Sequence, residues 1–273
     1  MTTSPVDPAA FTAFEHEGWQ RVADRYHGRF REVTTQSIEP LLDAAGAGPG
    51  VRLLDVASGP GYVAAAASAR GAGVPGVDFS SNMVALARRL HPGVEYREGD
   101  AQALPFDDES FDAVVMNYGI LHLAEPERAI REGLRVLRPG GRYAFTVWAG
   151  DARGFAIVME AVERHGDVNV PLPPGPPFFR FGEPAECERT LLAAGFRAAK
   201  TVRLDQVWRV TSPGTFVDEY LDSSVRTGAL LRAQTPEALA AIARDVREAL
   251  ESHRRDDGVV LPVPAILAYA TKA

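Results

Sequence analysis

This 273-residue sequence predicts an α/β fold, a doubly wound parallel sheet with helices on both faces, on three observations. Short apolar runs alternate with helical segments between residues 50 and 148, the order that buries parallel strands between helices. The first run ends in LLDVASGPG (residues 53–61), a turn of small residues with two glycines, set where a strand should meet a helix. Composition is that of an ordinary globular chain, 46% hydrophobic and 24% charged.

The elements follow in order. Trp19, Val22, Ala23, Tyr26 and Phe30 recur at helical spacing, so the chain begins with an amphipathic helix behind a short tail. A second helix is expected over about 36–45, ending in GAGPG. VRLLDVA reads as a buried strand, YVAAAASAR as a helix, VPGVDF as a strand and SNMVALARRL as a helix. VEYREGD and FDAVVMN are strands. PERAIREGLRVL is a helix stopped by Pro139-Gly140-Gly141, and GRYAFTVW is a strand. PLPPGPPFFRF (171–181) is too rich in proline for a helix or a central strand and is expected as a semi-rigid loop. EPAECERTLLAAGF is a helix closed by Gly195, and RAAKTVRLDQVWRV is read as one strand. Thr235-Pro236 starts a helix, Thr as cap and Pro in the first turn, with Leu239, Ile242, Ala243, Val246 and Leu250 as its apolar face. VVLPVPAILAYATK is a last strand whose prolines suggest an edge or a bulged start. The expected organisation is a helical cap (1–45), a ligand-binding core (46–165), a loop, helix and strand completing the sheet (166–210), a helical lid insertion (211–257) and a closing strand (258–273).

Bulk properties narrow the function. A net charge of −7, with no clustered Lys and Arg, argues against a nucleic-acid partner. Cys187 is the only cysteine, so no intrachain disulfide or cysteine metal site is expected. No basic-then-apolar leader and no run of about 20 apolar residues is present, so a cytoplasmic protein without a membrane span is expected.

Gly59 and Gly61 would let backbone approach a ligand beyond the carboxyl ends of the strands. Asp78, ending the second strand, lies within the roughly 20-residue spacing of an acid that grips a ribose with its two acceptor oxygens; as a turn or capping aspartate it would serve structure alone. Asp100, ending the third strand, adds an acceptor suited to an adenine amine, or is again a loop residue. Gly59-x-Gly61-x-x-Ala64 also fits the loose dinucleotide pattern of an NAD-binding oxidoreductase.

The segments LLDVASGPG, GVDFSSNM, EGDAQALPFDDESFDAVVMN, ILHLAEPERAIREGLRVLRPGG and RYAFTVW, in this order over about 100 residues, resemble the class I S-adenosyl-L-methionine (SAM)-dependent methyltransferases. Among these the ubiquinone/menaquinone-biosynthesis type is the nearest in look. The resemblance implies a Rossmann-like, seven-stranded sheet ending in two antiparallel strands, and SAM as cofactor with S-adenosyl-L-homocysteine as product. It further implies that Asp55, Ala57, Ser58, Gly59 and Gly61 cradle the methionine end and that Asp78 holds the ribose. Phe79 and Met83 would flank the adenine, Asp100 and Ala101 would meet its edge, Asn117 would lie beside the methyl group, and Tyr26 would fold over the cofactor. One departure stands out: Ala57-Ser58-Gly59 replaces the family's usual Gly-Cys-Gly. Asp55, Asp100 with LPF, and LRPGG are left unexplained by the dinucleotide alternative.

The function expected is methyl transfer to an O, C or N atom of a small, largely apolar or aromatic acceptor, as in quinone-like biosynthesis or secondary metabolism. His122, just past the fourth strand, is the candidate base if the acceptor must lose a proton. Phe178, Phe179, Phe181 and Tyr220, with Trp208 and Phe216, are candidates to line the acceptor pocket. Relatives of this fold that bind SAM yet catalyse cyclisation or decarboxylation supply a second reading.

Overall fold

The computed structural model describes residues 7–256 and 258–273, so the first six residues of the expected cap and Asp257 at the lid boundary lie outside the described residues. Helix α1 (Pro8–Arg29) starts where the Asp7 carboxylate accepts the amides of Ala9 and Ala10, with Pro8 at its first position. The short α2 (Arg31–Thr34) and a 3₁₀ turn lead into α3 (Ile38–Ala45), which ends on left-handed Gly46. Then come β1 (Leu53–Val56), α4 (Tyr62–Ala69), β2 (Pro75–Asp78), α5 (Ser81–Leu90), β3 (Glu95–Glu98), β4 (Phe111–Asn117), α6 (Pro126–Val136) and β5 (Leu137–Trp148). Beyond them lie α7 (Arg153–His165), α8 (Pro184–Ala193), β6 (Arg197–Leu204), β7 (Val207–Val210), α9 (Phe216–Ser223), α10 (Arg226–Arg232), α11 (Pro236–Glu251), β8 (Arg254–Arg255), β9 (Gly258–Pro262) and β10 (Ala265–Thr271).

The main sheet has seven strands in the order β3-β2-β1-β4-β5-β10-β6. Strands β1 to β5 pair in parallel, and β10 runs antiparallel to both β5 and β6. One strand is therefore reversed, lying between two of the opposite direction. The order turns back between β1 and β4, which opens a crevice beyond the carboxyl ends of those strands. β4 shows why the core is continuous: every residue from Ala113 to Met116 is inaccessible, as expected of a strand covered on both faces.

Three expected boundaries shift. α6 ends at Val136, and the LRPGG stretch forms the start of β5 rather than a stop outside it. The strand expected over 197–210 breaks at Asp205–Gln206. The closing segment breaks at Pro262–Pro264, where proline has no N–H to donate. The detached halves find each other: β7 pairs antiparallel with β9, Trp208 opposite Leu261, in a small second sheet with β8. Only β10 of the closing segment joins the main sheet. The expected insertion is helical, α9 to α11, and packs its Phe216, Tyr220, Leu231, Ile242 and Val246 into one core with α7 and Trp208. Among the described residues no helix is long and apolar enough to cross a membrane.

Candidate functional site

A cavity opens at the crevice and is roofed by α1 and by the start of α10. Its floor is the turn after β1. Ala57 and Gly59 adopt left-handed backbone, φ 53° and 50°, and α4 follows. For Ala57 that conformation carries a strain of about 1–2 kcal/mol. Room for its methyl group exists because residue 119 is a glycine: a Cβ there would sit 2.6 Å from Ala57 Cβ. Space around Gly59 is open. The Asp55 carboxyl is buried under the turn; one oxygen accepts the Ala64 amide at 3.0 Å, and Oδ1 has no partner. Burial pushes Asp55 up to about 8, against the Ala64 bond that lowers it. Ser58 Oγ is likewise buried without a partner.

Asp78 closes the next side. Its Oδ2 accepts the Gly59 amide at 2.8 Å and its Oδ1 the Ser80 amide at 2.9 Å. Each oxygen keeps a further lone pair, so the bonds fix the carboxylate without exhausting it. Burial raises Asp78 to about 6, and the two amide bonds pull the other way. Ser80 caps α5 through the Met83 amide and donates to Gln20 of α1, whose side chain and carbonyl also hold Asn82. This clamp docks α1 over the rim. Phe79, edge-on to His16, and the buried Met83 line the cavity beside it. Asp100 and Ala101 lie at the same rim; Asp100 Oδ1 accepts the Gln102 amide at 2.8 Å.

Gly61 does not line the cavity: at φ 83° its missing Cβ makes way for the Tyr96 hydroxyl, 2.3 Å away, so it serves the turn. Asn117 reaches the cavity, but its side chain is committed. Ser37 and Thr146 donate to its oxygen and its amide donates to the Thr34 carbonyl, tying the N-terminal helices to β4 and β5. Tyr26 lines the wall, stacked on Phe30. Phe178 and Tyr220 line the cavity, whereas Phe179 does not, packing instead against Phe178 and the core beside α7. Phe181 lies in the core beside Phe145 and Cys187, away from the cavity; Trp208 of β7 and Phe216 of the insertion are core residues.

His122 lines the cavity, 20% exposed, with its Nδ1 3.0 Å from Glu15 Oε2. Glu15, on α1, is wholly inaccessible; the same oxygen accepts Trp19 Nε1 at 3.1 Å, while its Oε1 has no partner. A carboxylate only accepts, so this contact uses a proton on His122 Nδ1. Glu15 is absent from the sequence-based set of site residues. Its signal was available: Phe11, Glu15, Gly18 and Val22 form the buried stripe of α1, and a carboxylate on an apolar face needs a partner. Gln102, whose oxygen accepts the Glu125 amide, was also missed. The described residues contain no cluster of three or more His, Cys, Asp or Glu able to hold a metal.

Residues 54–145 match the Methyltransferase domain family. Over 141 residues the chain is 39% identical to a demethylmenaquinone methyltransferase of Clavibacter sepedonicus, which covers 49% of this chain and 55% of that one. The chain thus spans about half the length of the curated relatives it matches. In fold it is similar to a Haemonchus contortus phosphoethanolamine N-methyltransferase 2 solved with S-adenosylhomocysteine, at a TM-score of 0.58 and 21% identity, covering 96% of this chain and 60% of that one. It is equally similar to the [4+2]-cyclase SpnF, at a TM-score of 0.57 and 21% identity over 99% of this chain and 100% of that one.

Proposed function

We propose, from a chain whose residues 54–145 match a methyltransferase domain family and whose sheet turns back over one crevice, that it binds SAM at that crevice and methylates a small, largely apolar or aromatic acceptor. The observation that carries this is the rim itself. Asp78 is aimed by two backbone amides, and the buried Asp55 Oδ1 and Ser58 Oγ lack partners beside an open Gly59. Polar atoms buried without partners are costly, and the hydroxyls and ammonium of SAM would satisfy them.

In this proposal Asp78 accepts the ribose hydroxyls and Asp55, Ser58 and Gly59 face the methionine end. Phe79 and Met83 flank the adenine, and Asp100 with Ala101 meets its edge. Bound there, SAM would supply a methyl group on a positively charged sulfur, with S-adenosyl-L-homocysteine as the product. What the chain contributes is orientation and a dry wall, a term of about 7–11 kcal/mol when geometry is well held. Tyr26, Trp19 and Phe178 supply that wall. Where the acceptor atom is a hydroxyl or an acidic carbon, Nε2 of His122 takes its proton, and Glu15 holds the imidazole in the tautomer that permits this.

The test is a screen of phenols, quinols and amines with methyl-labelled SAM, separating products from protein. Label in an aromatic acceptor supports the proposal. Consumption of a substrate without label in any product would favour chemistry other than methyl transfer.

A further inference from the structure

Arg226, the first residue of α10, lines the same cavity from the side opposite the crevice floor. Its place is fixed by its neighbour. Val225 fills a notch at Gly18 of α1, where a Cβ would lie 2.2 Å from Val225 Cγ1. The guanidinium carbon sits 5.3 Å from the centre of the Phe11 ring and 5.7 Å from that of Phe178. One of its five N–H donors reaches a protein acceptor, the Pro176 carbonyl, at 3.2 Å. Among the described residues no carboxylate forms an ion pair with it. Glu15 is near enough to be felt electrostatically; its Oε2 is bonded to Trp19 and His122, and its unpartnered Oε1 makes no ion pair with Arg226.

Arg226 is partly buried, and no ion pair among the described residues offsets the desolvation of its charge. Here burial lowers its pKa below the ordinary arginine value. The rings on either side provide partial compensation, and four donors remain in the planar fork that matches an oxyanion two bonds at a time. Phe178 links this fork to the proton-accepting end of the site, since its ring also lies edge-on to His122 at 6.2 Å.

We propose that Arg226 is the specificity residue for an acceptor with an aromatic or apolar body and an oxyanion, carboxylate or phosphate, distal to the atom that reacts near His122. This rests on the methyltransferase proposal for the same cavity. The body lies along Phe178 and the anion pairs with the guanidinium, so neutral analogues of the same shape leave Arg226 unpaired and bind less well.

The test is calorimetric titration of the whole chain, saturated with S-adenosyl-L-homocysteine, with matched probes. These are 4-hydroxybenzoate and 4-hydroxybenzamide, 1-naphthoate and 1-naphthamide, and phenyl phosphate. Titration with S-adenosyl-L-homocysteine alone comes first; its failure to bind would remove the cofactor proposal, and the probes would then be titrated into the protein alone. At least one anion should bind the wild type at least ten-fold tighter than its neutral partner, the carboxylates and phenyl phosphate reporting which oxyanion is preferred. Arg226→Gln should abolish that preference and keep the homocysteine product's affinity, which also shows that it folds; Arg226→Lys should retain part of it. Equal binding of amide and acid to the wild type, no binding of any anion, or a preference that survives in Arg226→Gln would overturn the proposal.

Discussion

At the residue scale the site is a set of buried carboxylates held by backbone amides. Asp78 is bonded through both oxygens to Gly59 and Ser80, so truncating it removes the ribose contacts and loosens the turn together. Asp78→Ala should weaken S-adenosyl-L-homocysteine binding by about 1.5–3 kcal/mol, the range for hydrogen bonds to a charged group. Unchanged affinity by calorimetry would take Asp78 out of the ribose site. Asp55 carries a pH signature. Its pKa in the fold, about 8, and that of Asp78, about 6, exceed the ordinary aspartate value. The fold therefore binds more protons than the unfolded chain between these limits. The stability they contribute is fully present below the unfolded value and is lost as pH rises through about 6 and then about 8. Thermal melts of the ligand-free protein should show Tm falling from pH 5 to pH 8.5, and Asp55→Asn should flatten the upper part of that fall. Parallel curves for the two proteins would refute the assignment. At His122 the test is kinetic. For an acceptor that loses a proton, Glu15→Gln should lower kcat and shift its pH profile while leaving cofactor affinity near wild type; an unmoved profile would reduce Glu15 to a packing role.

Elements explain what local sequence patterns reveal and what they leave hidden. The turn after β1 was legible because nine consecutive residues, an apolar run and then small residues with two glycines, lead directly into a helix. The same locality made β4 readable end to end. Pairing between distant segments was not legible. β7 and β9 join across about 50 residues, and nothing in RAAKTVRLDQVWRV marks Asp205–Gln206 as the point where the chain leaves one sheet for another. The acceptor side of the cavity was hidden for a related reason. Glu15, Trp19 and Arg226 come from α1 and α10, and only their tertiary packing brings them beside His122 and Phe178. Aromatic residues of the Pro/Phe loop looked interchangeable in sequence, yet Phe178 faces the cavity and Phe181 the core. Two glycines carry element-scale predictions. Gly61→Ala brings a methyl against the Tyr96 ring at φ 83° and should cost about 1–3 kcal/mol in denaturant unfolding. Gly18→Ala displaces Val225 and should loosen α10 from α1, seen as faster proteolysis of the insertion; an unaltered digestion pattern would count against that notch.

For the whole molecule, topology and function meet at one place. The strand order turns back between β1 and β4, and the carboxyl ends of β1, β2 and β4 converge there with the loop after β3. The N-terminal helix and the helical insertion close over this edge, joined by the Gln20 clamp at α5 and by Val225 in the Gly18 notch. A fold of this kind hosts more than one chemistry; the cofactor is the first branch point. Calorimetric titration with SAM, S-adenosyl-L-homocysteine and NAD in turn resolves it. Micromolar binding of the two adenosyl ligands with no response to NAD is the predicted result. A folded protein that binds NAD and ignores both adenosyl ligands would contradict the account at its root.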